Sequence, residues 1–359
     1  MSSKQPRIGI LGAGQLALML AEAGKGLGVE VICAGQPGDC AEQAAPVVSV
    51  DMTHAPFVAA FAKTVDLVTI ESENIDATVL HGLKLFPNER AIEIAQDRWL
   101  EKQFFASCGI AVAPFAAVSE IEDFPTALET TGLPAILKTR RMGYDGKGQV
   151  RMKSADEAEA AFAEVGGVPC IVEGMLQFGT EVSLIAARGT IGEIVFYPLT
   201  ENFHRDGILR TSIAPYQGAD SLQALAERYM REVLEKLDYV GVLAIEFFVQ
   251  GDRLIANEMA PRVHNSGHWT IEGSKSSQFE NHLRAITGMP LGSTESEPMV
   301  MLNCIGTMPS EAETAKWPGL YRHDYGKAGR PGRKVGHLTF PATETEAIAF
   351  WQKQLNPTS

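Results

Sequence analysis

The 359-residue sequence predicts an α/β unit followed by α+β units. Three observations carry this expectation. The first hundred residues alternate short apolar runs with helical periodicity, the rhythm of a parallel sheet with crossover helices. From about 110 to 200 the order changes to strand, Gly-rich loop, strand, helix and further strands. Between 240 and 260 two long apolar runs meet at Gly251 and Asp252, where the turn chemistry suits a hairpin.

The elements follow in order. RIGIL (7–11), a helix from about Gln15, VEVICA (29–34), a helix near 55–63 and VDLVTI (65–70) make the first unit. A helix over 91–108 then buries Ile92, Ala95, Trp99 and Phe104 on one face, and Gly109 stops it. The next unit begins there. Strands PAILKTR, QVRMK, CIVEGM and TEVSLIAAR, with a helix near 155–164, precede a helix over 219–237. The strands VGVLAIEFFVQ and DRLIANEMA come next, and a third unit closes the chain after about 290. The sequence therefore divides at 1–109, 110–290 and 291–359, without internal repeats.

Composition narrows the function. Hydrophobic side chains make up 45% and charged ones 21%, enough apolar material for a substantial core. A net charge of -13 disfavours a nucleic-acid surface, since phosphate backbones recruit broad Lys/Arg patches. Any anionic ligand must meet a local basic cluster. The start, MSSKQPRIGI, lacks a cationic stretch leading into an apolar run, and no segment holds about eighteen consecutive apolar residues. Five cysteines with no CxxC pair argue against a disulfide framework and against a zinc site. A reducing cytoplasm is the expected location.

Five segments carry chemistry. Gly12-Ala13-Gly14-Gln15-Leu16-Ala17 follows a strand and approaches the dinucleotide fingerprint. A nicotinamide site wants an acid closing the second strand, but VEVICA runs into Gly35 and the nearest acid is Asp39. The glycines either bring a helix N-terminus to a phosphate or polar ligand, or form a turn with no ligand. Gly143-Tyr144-Asp145-Gly146-Lys147-Gly148 lies between strands, where backbone N–H groups can fold over phosphate oxygens. It is not a Walker A sequence, which needs a helix after GK[ST]. Lys138, upstream on an apolar strand, could neutralise phosphate charge while its stem packs.

Glu246 and Glu258 lie within apolar strand sequence, where a carboxylate is costly unless a cation pairs with it. A three-residue loop over Gly251 to Arg253, or a bulge, would place 246 opposite 258 on one face. Like charges so placed destabilise a sheet, and magnesium would turn the repulsion into binding. Otherwise the two glutamates face solvent on an edge hairpin. Asn257 adjoins them. Pro261-Arg262-Val263-His264-Asn265-Ser266-Gly267-His268-Trp269 then supplies a guanidinium, two imidazoles, an amide and a hydroxyl, a donor-rich pocket for a small oxyanion. Arg322, Lys327, Arg330, Arg333 and Lys334 form a basic cluster suited to one phosphate monoester, or a solvated basic turn.

Together GAGQLALM (12–19), IESEN (70–74), LKTRRMGYDGKGQ (137–149), EGMLQFGTEVS (173–183), ANEMAPRVHNSGHWT (256–270) and RKVGH (333–337) resemble ATP-grasp enzymes. The resemblance is to the 5-(carboxyamino)imidazole ribonucleotide synthase family of the purine pathway. It implies an N-terminal Rossmann-like parallel-sheet domain, a central ATP-grasp lid (about 115–200) and core, and a small C-terminal domain completing the substrate site. It also implies a ligase that carboxylates 5-aminoimidazole ribonucleotide with bicarbonate through carboxyphosphate, using ATP and Mg2+, as a cytoplasmic homodimer.

By the same resemblance, ATP is held by Arg98 and Lys138 and by the loop Gly143, Tyr144, Asp145, Gly146, Lys147, Gly148 and Gln149. Glu173, Gly174, Met175 and Leu176 continue that site, with Glu181, His204, Asn257 and Glu258. Magnesium would sit on Glu246 and Glu258. Gln15, Leu16, Glu71 and Glu73 would contact the ribonucleotide, with Asp145, Lys327, Arg333 and Lys334 completing its pocket. Arg262, His264, Asn265 and Ser266 would handle bicarbonate. The family's GGGQLGxM differs here at Ala13 and Ala17, whose small side chains preserve close approach.

Overall fold

A computed structural model describes residues 5–143, 147–218 and 220–355. Four strands, β1 (Arg7–Leu11), β2 (Glu30–Gly35), β3 (Val47–Ser49) and β4 (Leu67–Ile70), form a parallel sheet in the order β3-β2-β1-β4. Helix α1 (Gln15–Leu27) crosses from β1 to β2 and α2 (Ala55–Ala62) leads from β3 to β4. At three residues, β3 is too short to be marked in sequence. The other elements of this unit fall within two residues of their expected bounds.

The helix expected over 91–108 is two helices, α3 (Glu89–Gln96) and α4 (Arg98–Ser107). They break at Asp97, whose backbone is extended (φ -124°, ψ 107°). Its carboxylate accepts from Trp99 N (3.0 Å) and Leu100 N (3.4 Å), capping α4, and pairs with Arg140 at 2.7 Å. The expected stop at Gly109 holds, with φ +70°.

A second sheet is antiparallel: β5 (Phe115–Val118), β6 (Ala135–Thr139), β7 (Gln149–Met152) and β8 (Cys170–Gly174) in the order β5-β8-β6-β7. Helices α5 (Phe124–Thr131) and α6 (Ala158–Glu164) cover it through Phe124, Ala127, Ala158 and Ala161 against Leu137 and Val172. The Gly-rich loop joins β6 to β7, and its residues Tyr144, Asp145 and Gly146 lie outside the described residues.

The large sheet is antiparallel and uses β9 (Thr180–Arg188), β10 (Ile194–Phe196), β11 (Thr200–Arg205), β12 (Ile208–Ala214), β13 (Gly241–Gln250), β14 (Arg253–Ala260), β15 (Met299–Ile305), β16 (Tyr321–Asp324) and β17 (Lys334–Pro341). Its order is β14-β13-β9-β11-β12-β15-β17-β16, with β10 beside β9. Strand β9, inside the range read as the lid, is thus central in this sheet. The segment after 290 adds β15, β17 and β16 to the same sheet, and α11 (Thr345–Leu355) packs on them through Ala347 and Trp351.

Before α11 come α7 (Asp220–Lys236), α8 (Thr270–Gly273), α9 (Gln278–Thr287) and α10 (Glu311–Thr314). One core lies between α7 and the sheet, where Met230 and Val233 meet Leu184, Leu243 and Phe247. Another joins α1 to α9 and to β9 and β13, where Leu20 shares a cluster with Leu283, Ile185 and Val242. That contact fixes the N-terminal sheet against the large one.

Candidate functional site

The hairpin β13–β14 turns through two residues, with Gln250 opposite Arg253 and Gly251 at φ +64°. A two-residue turn alone would put Glu246 opposite Asn257. A bulge beside Glu246 shifts the register, so Glu246 faces Glu258 and Phe247 faces Ala256. The bulge, of the two routes the sequence allows, sets the carboxylates opposite each other.

Both carboxylates line a cleft of about 1050 Å3. The N-terminal unit brings Gln15, Leu16, Glu71 and Glu73 to it, α4 brings Arg98, and the second sheet brings Lys138, Gly143 and Gln149. The large sheet adds Glu181, His204, Glu246, Asn257, Glu258 and Lys334, and the following loop adds Arg262, His264 and Asn265. Lys147, Gly148, Glu173, Gly174, Met175, Leu176, Ser266, Lys327 and Arg333 are not among its walls.

Several of these act one step behind the wall. Glu173 is buried and takes both Lys138 Nζ and Lys102 Nζ at 3.2 Å. Burial opposes its charge, but the two ammonium groups outweigh that and hold the carboxyl at about 2. Burial in turn lowers the Lys138 pKa, with Glu173 working against it. Gly174 ends β8 with its α-carbon against Thr131, where a Cβ would lie 2.6 Å from a backbone oxygen. Arg98 donates to Thr139 O and Gly143 O, tying α4 to the end of β6 and to the first residue of the Gly-rich loop.

The glycines of the first turn hold a protein carboxylate. Glu71 Oε1 accepts from Gly14 N (2.6 Å) and Oε2 from Ala17 N (3.1 Å). A Cβ on Gly12, at φ +115°, would lie 2.3 Å from Glu71 Cγ. The positive end of α1 is therefore filled from within, and a dinucleotide pyrophosphate has no place there. Burial raises the Glu71 carboxyl, offset by those two N–H groups.

Glu73 and Arg262, read in sequence as contacts to different substrates, form a bidentate pair: Nε to Oε2 at 2.5 Å and Nη2 to Oε1 at 2.9 Å. His264 Nδ1 lies 2.8 Å from Ser266 Oγ and Nε2 lies 3.4 Å from Glu246 Oε1. Burial, then the Arg262 charge, pushes the His264 pKa well down, leaving a neutral ring. Ser266 is fully buried; its hydroxyl meets Ser183 Oγ at 2.7 Å, and Asn202 continues that chain to Ser212. Asn265 exchanges amide hydrogen bonds with Asn303. His268 is buried beside Phe279 and His337, away from the cleft, so the loop presents one imidazole where the sequence offered two.

The basic cluster also divides. Lys334 lines the cleft, and Lys327 bonds the Gln15 side chain across the unit boundary. Arg322 pairs with Asp324 at 2.6 Å and donates to Pro309 O, and Arg333 donates to Ala328 O.

Burial, then the Glu258 charge, pushes the Glu246 carboxyl up to about 7. A cation would relieve that. The donors facing it are carboxylate oxygens with the Asn257 amide alongside, which fits a hard ion such as magnesium. Ligand atoms of Glu181, His204 and Glu246 also lie within 4.8 Å of one another. Burial alone would lower the His204 pKa, but Glu181 at 2.8 Å and then Glu246 raise it. Sequence reasoning missed Glu101, Lys102, Ser183, Asn202 and the Phe178–Phe248 stack (4.4 Å) bordering the cleft. Each is an ordinary residue for its local pattern. All five cysteines are free.

Residues 103–279 match the ATP-grasp domain and 5–96 the ribonucleotide synthetase preATP-grasp domain. Residues 299–349 match the phosphoribosylaminoimidazole carboxylase C-terminal domain. With its cleft between two antiparallel sheets, the chain is an ATP-dependent ligase of the ATP-grasp class. It is 48% identical over 348 residues to the N5-carboxyaminoimidazole ribonucleotide synthase of Pseudomonas aeruginosa, covering 95% of this chain and 96% of that one. The synthetase of that name from Thermus thermophilus superposes with a TM-score of 0.92 at 47% identity, covering 98% and 99% of the two chains. A synthase from Aspergillus clavatus, in complex with ADP and 5-aminoimidazole ribonucleotide, does so at 0.88 and 30% identity over 98% and 97%. The chain belongs to the N5-carboxyaminoimidazole ribonucleotide synthase family.

Proposed function

We propose that this enzyme carboxylates 5-aminoimidazole ribonucleotide with bicarbonate and ATP, giving 5-(carboxyamino)imidazole ribonucleotide, ADP and phosphate. The observation that carries the reading is convergence on one cleft. Arg98 of α4, Lys138 of the second sheet, Glu246 and Glu258 of the large sheet, Gln15 and Glu73 of the N-terminal unit, and Arg262 and His264 of the loop after β14 all line it. A relative of this family binds ADP and the ribonucleotide together.

In this reading a bicarbonate oxygen attacks the γ-phosphorus, the bond to ADP breaks, and carboxyphosphate forms. That mixed anhydride splits into carbon dioxide and phosphate. The exocyclic amine of the ribonucleotide attacks the carbon, forms the N–C bond and loses a proton to the departing phosphate. Glu246 and Glu258, with Asn257 beside them, would hold magnesium, which supplies charge neutralisation at the β- and γ-phosphates. Lys138 opposes the charge that develops on the transferred group. Arg262 offers a planar fork to a trigonal oxyanion, and neutral His264 can donate without adding charge. The residues of the Gly-rich loop are assigned to closing over the nucleotide and excluding water, which carboxyphosphate requires.

The free cysteines suit a reducing cytoplasm, and the homodimer rests on the family resemblance alone. The test is incubation with ATP, magnesium, 14C-bicarbonate and 5-aminoimidazole ribonucleotide. An acid-labile labelled product should appear with one phosphate per turnover. Phosphate release that needs neither bicarbonate nor the ribonucleotide contradicts the assignment, as does replacement of bicarbonate by formate.

A further inference from the structure

Glu101 has no part in the substrate contacts described above, yet it is 2% exposed and borders the cleft from the first turn of α4. Its neighbour is β14, the last strand of the large sheet, so one edge of β14 has no strand beside it. Around the bulge the buried polar groups of that edge are satisfied by α4 and the segment after it. Ala256 N donates to Ala111 O (2.8 Å), Ala256 O accepts from Lys102 Nζ (3.3 Å) and Met259 N donates to Glu101 Oε1 (2.6 Å).

The spacing of these contacts is informative. In a regular strand, groups facing one edge recur at every second residue. Residues 256 and 259 are three apart, so both can face outward only because the bulge inserts one residue between them. Lys102 thus fixes the residue before Asn257, and Glu101 fixes the residue after Glu258.

We propose that Glu101 is a positioning residue for the catalytic centre: by holding the Met259 N–H it locks the bulge that sets Glu258 opposite Glu246. Without it the N–H at 259 is buried and unpartnered, and sliding the bulge out of β14 would restore the Glu246–Asn257 register. The proposal rests on the reading of Glu246 and Glu258 as the magnesium carboxylates. It makes an α4 residue set the magnesium requirement of a strand it does not belong to.

The experiment measures half-saturating magnesium at saturating ATP, alongside the KM for the ribonucleotide, in wild type, E101A, E101Q and E258Q. E101A should raise the magnesium requirement about 10-fold, the size of one lost hydrogen bond to a buried donor, with the ribonucleotide KM within about twofold. E101Q should rescue it, because an amide oxygen accepts the same bond. A merely structural Glu101 would lower the unfolding midpoint and leave the magnesium requirement of folded protein alone. E101A at the wild-type magnesium requirement, with E258Q raised, overturns the positioning role. So does an E101Q as impaired as E101A, which would assign the effect to charge. If E258Q also keeps the wild-type requirement, the metal reading fails and this proposal with it. Should E101A not fold, E101D decides: one methylene shorter, it should raise the requirement, and equality with wild type overturns the proposal.

Discussion

At the residue scale, the informative side chains are those out of keeping with their surroundings. A carboxylate in VLAIEFFVQ is costly unless paired, and the structure gives Glu246 a carboxylate opposite it and a carboxyl pushed up to about 7. Replacing Glu258 by Gln should lower kcat by about 100-fold in a protein that unfolds normally, on the scale of losing one preorganised electrostatic contact. Steady-state turnover and a urea titration check this, and unchanged turnover would remove Glu258 from the metal role. Arg262→Lys should lower kcat/KM for bicarbonate about 10-fold, because an ammonium cannot keep both oxygens of Glu73 and still present a fork. A variant matching wild type in bicarbonate titrations would exclude Arg262 from the oxyanion pocket. Glu246, Glu258 and Arg262 were legible because their chemistry is discordant with the local pattern. Glu101 and Lys102 were not, since an acid beside a lysine in the middle of a helix expected over 91–108 reads as ordinary helix surface. Only the fold shows that both side chains are buried against β14.

At the scale of elements, strands and the first helix were legible because period and length agree. The single helix over 91–108 was misread because apolar spacing continues across Asp97 without a Gly or Pro to interrupt it. What breaks it is a cap, and the cap is reinforced by Arg140 from the far end of β6, a partner no local window contains. The break places Arg98 at the start of α4, where it bonds Thr139 at the end of β6 and Gly143 at the start of the Gly-rich loop. Asp97→Ala should cost about 2 kcal/mol or more, combining a lost cap with a partly buried guanidinium left unpaired. Asp97→Asn keeps the cap acceptor and should recover about half of that. Equilibrium denaturation gives both values, and equal stabilities for the two variants would show that the cap contributes nothing.

At the scale of the whole molecule, one buried junction ties the units together. Glu173 on β8 takes Lys138 from β6 of its own sheet and Lys102 from α4, and Lys102 also reaches Ala256 O on the large sheet. The hydrophobic pattern of each segment predicts its own sheet, while this crossing depends on three polar side chains from separate stretches, so it was not visible in the sequence. Its pH dependence follows from the depressed Glu173 carboxyl, about 2 against a usual 4.5. The unfolded chain binds this proton more readily than the folded one, so the contribution is complete above about 4.5 and disappears as pH falls towards about 2. At about 1.4 kcal/mol per pH unit, the contribution is about 3 kcal/mol near neutrality. Glu173→Gln should therefore be less stable than wild type by about that amount at pH 7, and the difference should shrink steadily between pH 4.5 and pH 2. Urea denaturation of both proteins across that range is the measurement. A gap that stays constant down to pH 3 would mean that the junction holds the two sheets by packing alone, with the charge on Glu173 playing no part.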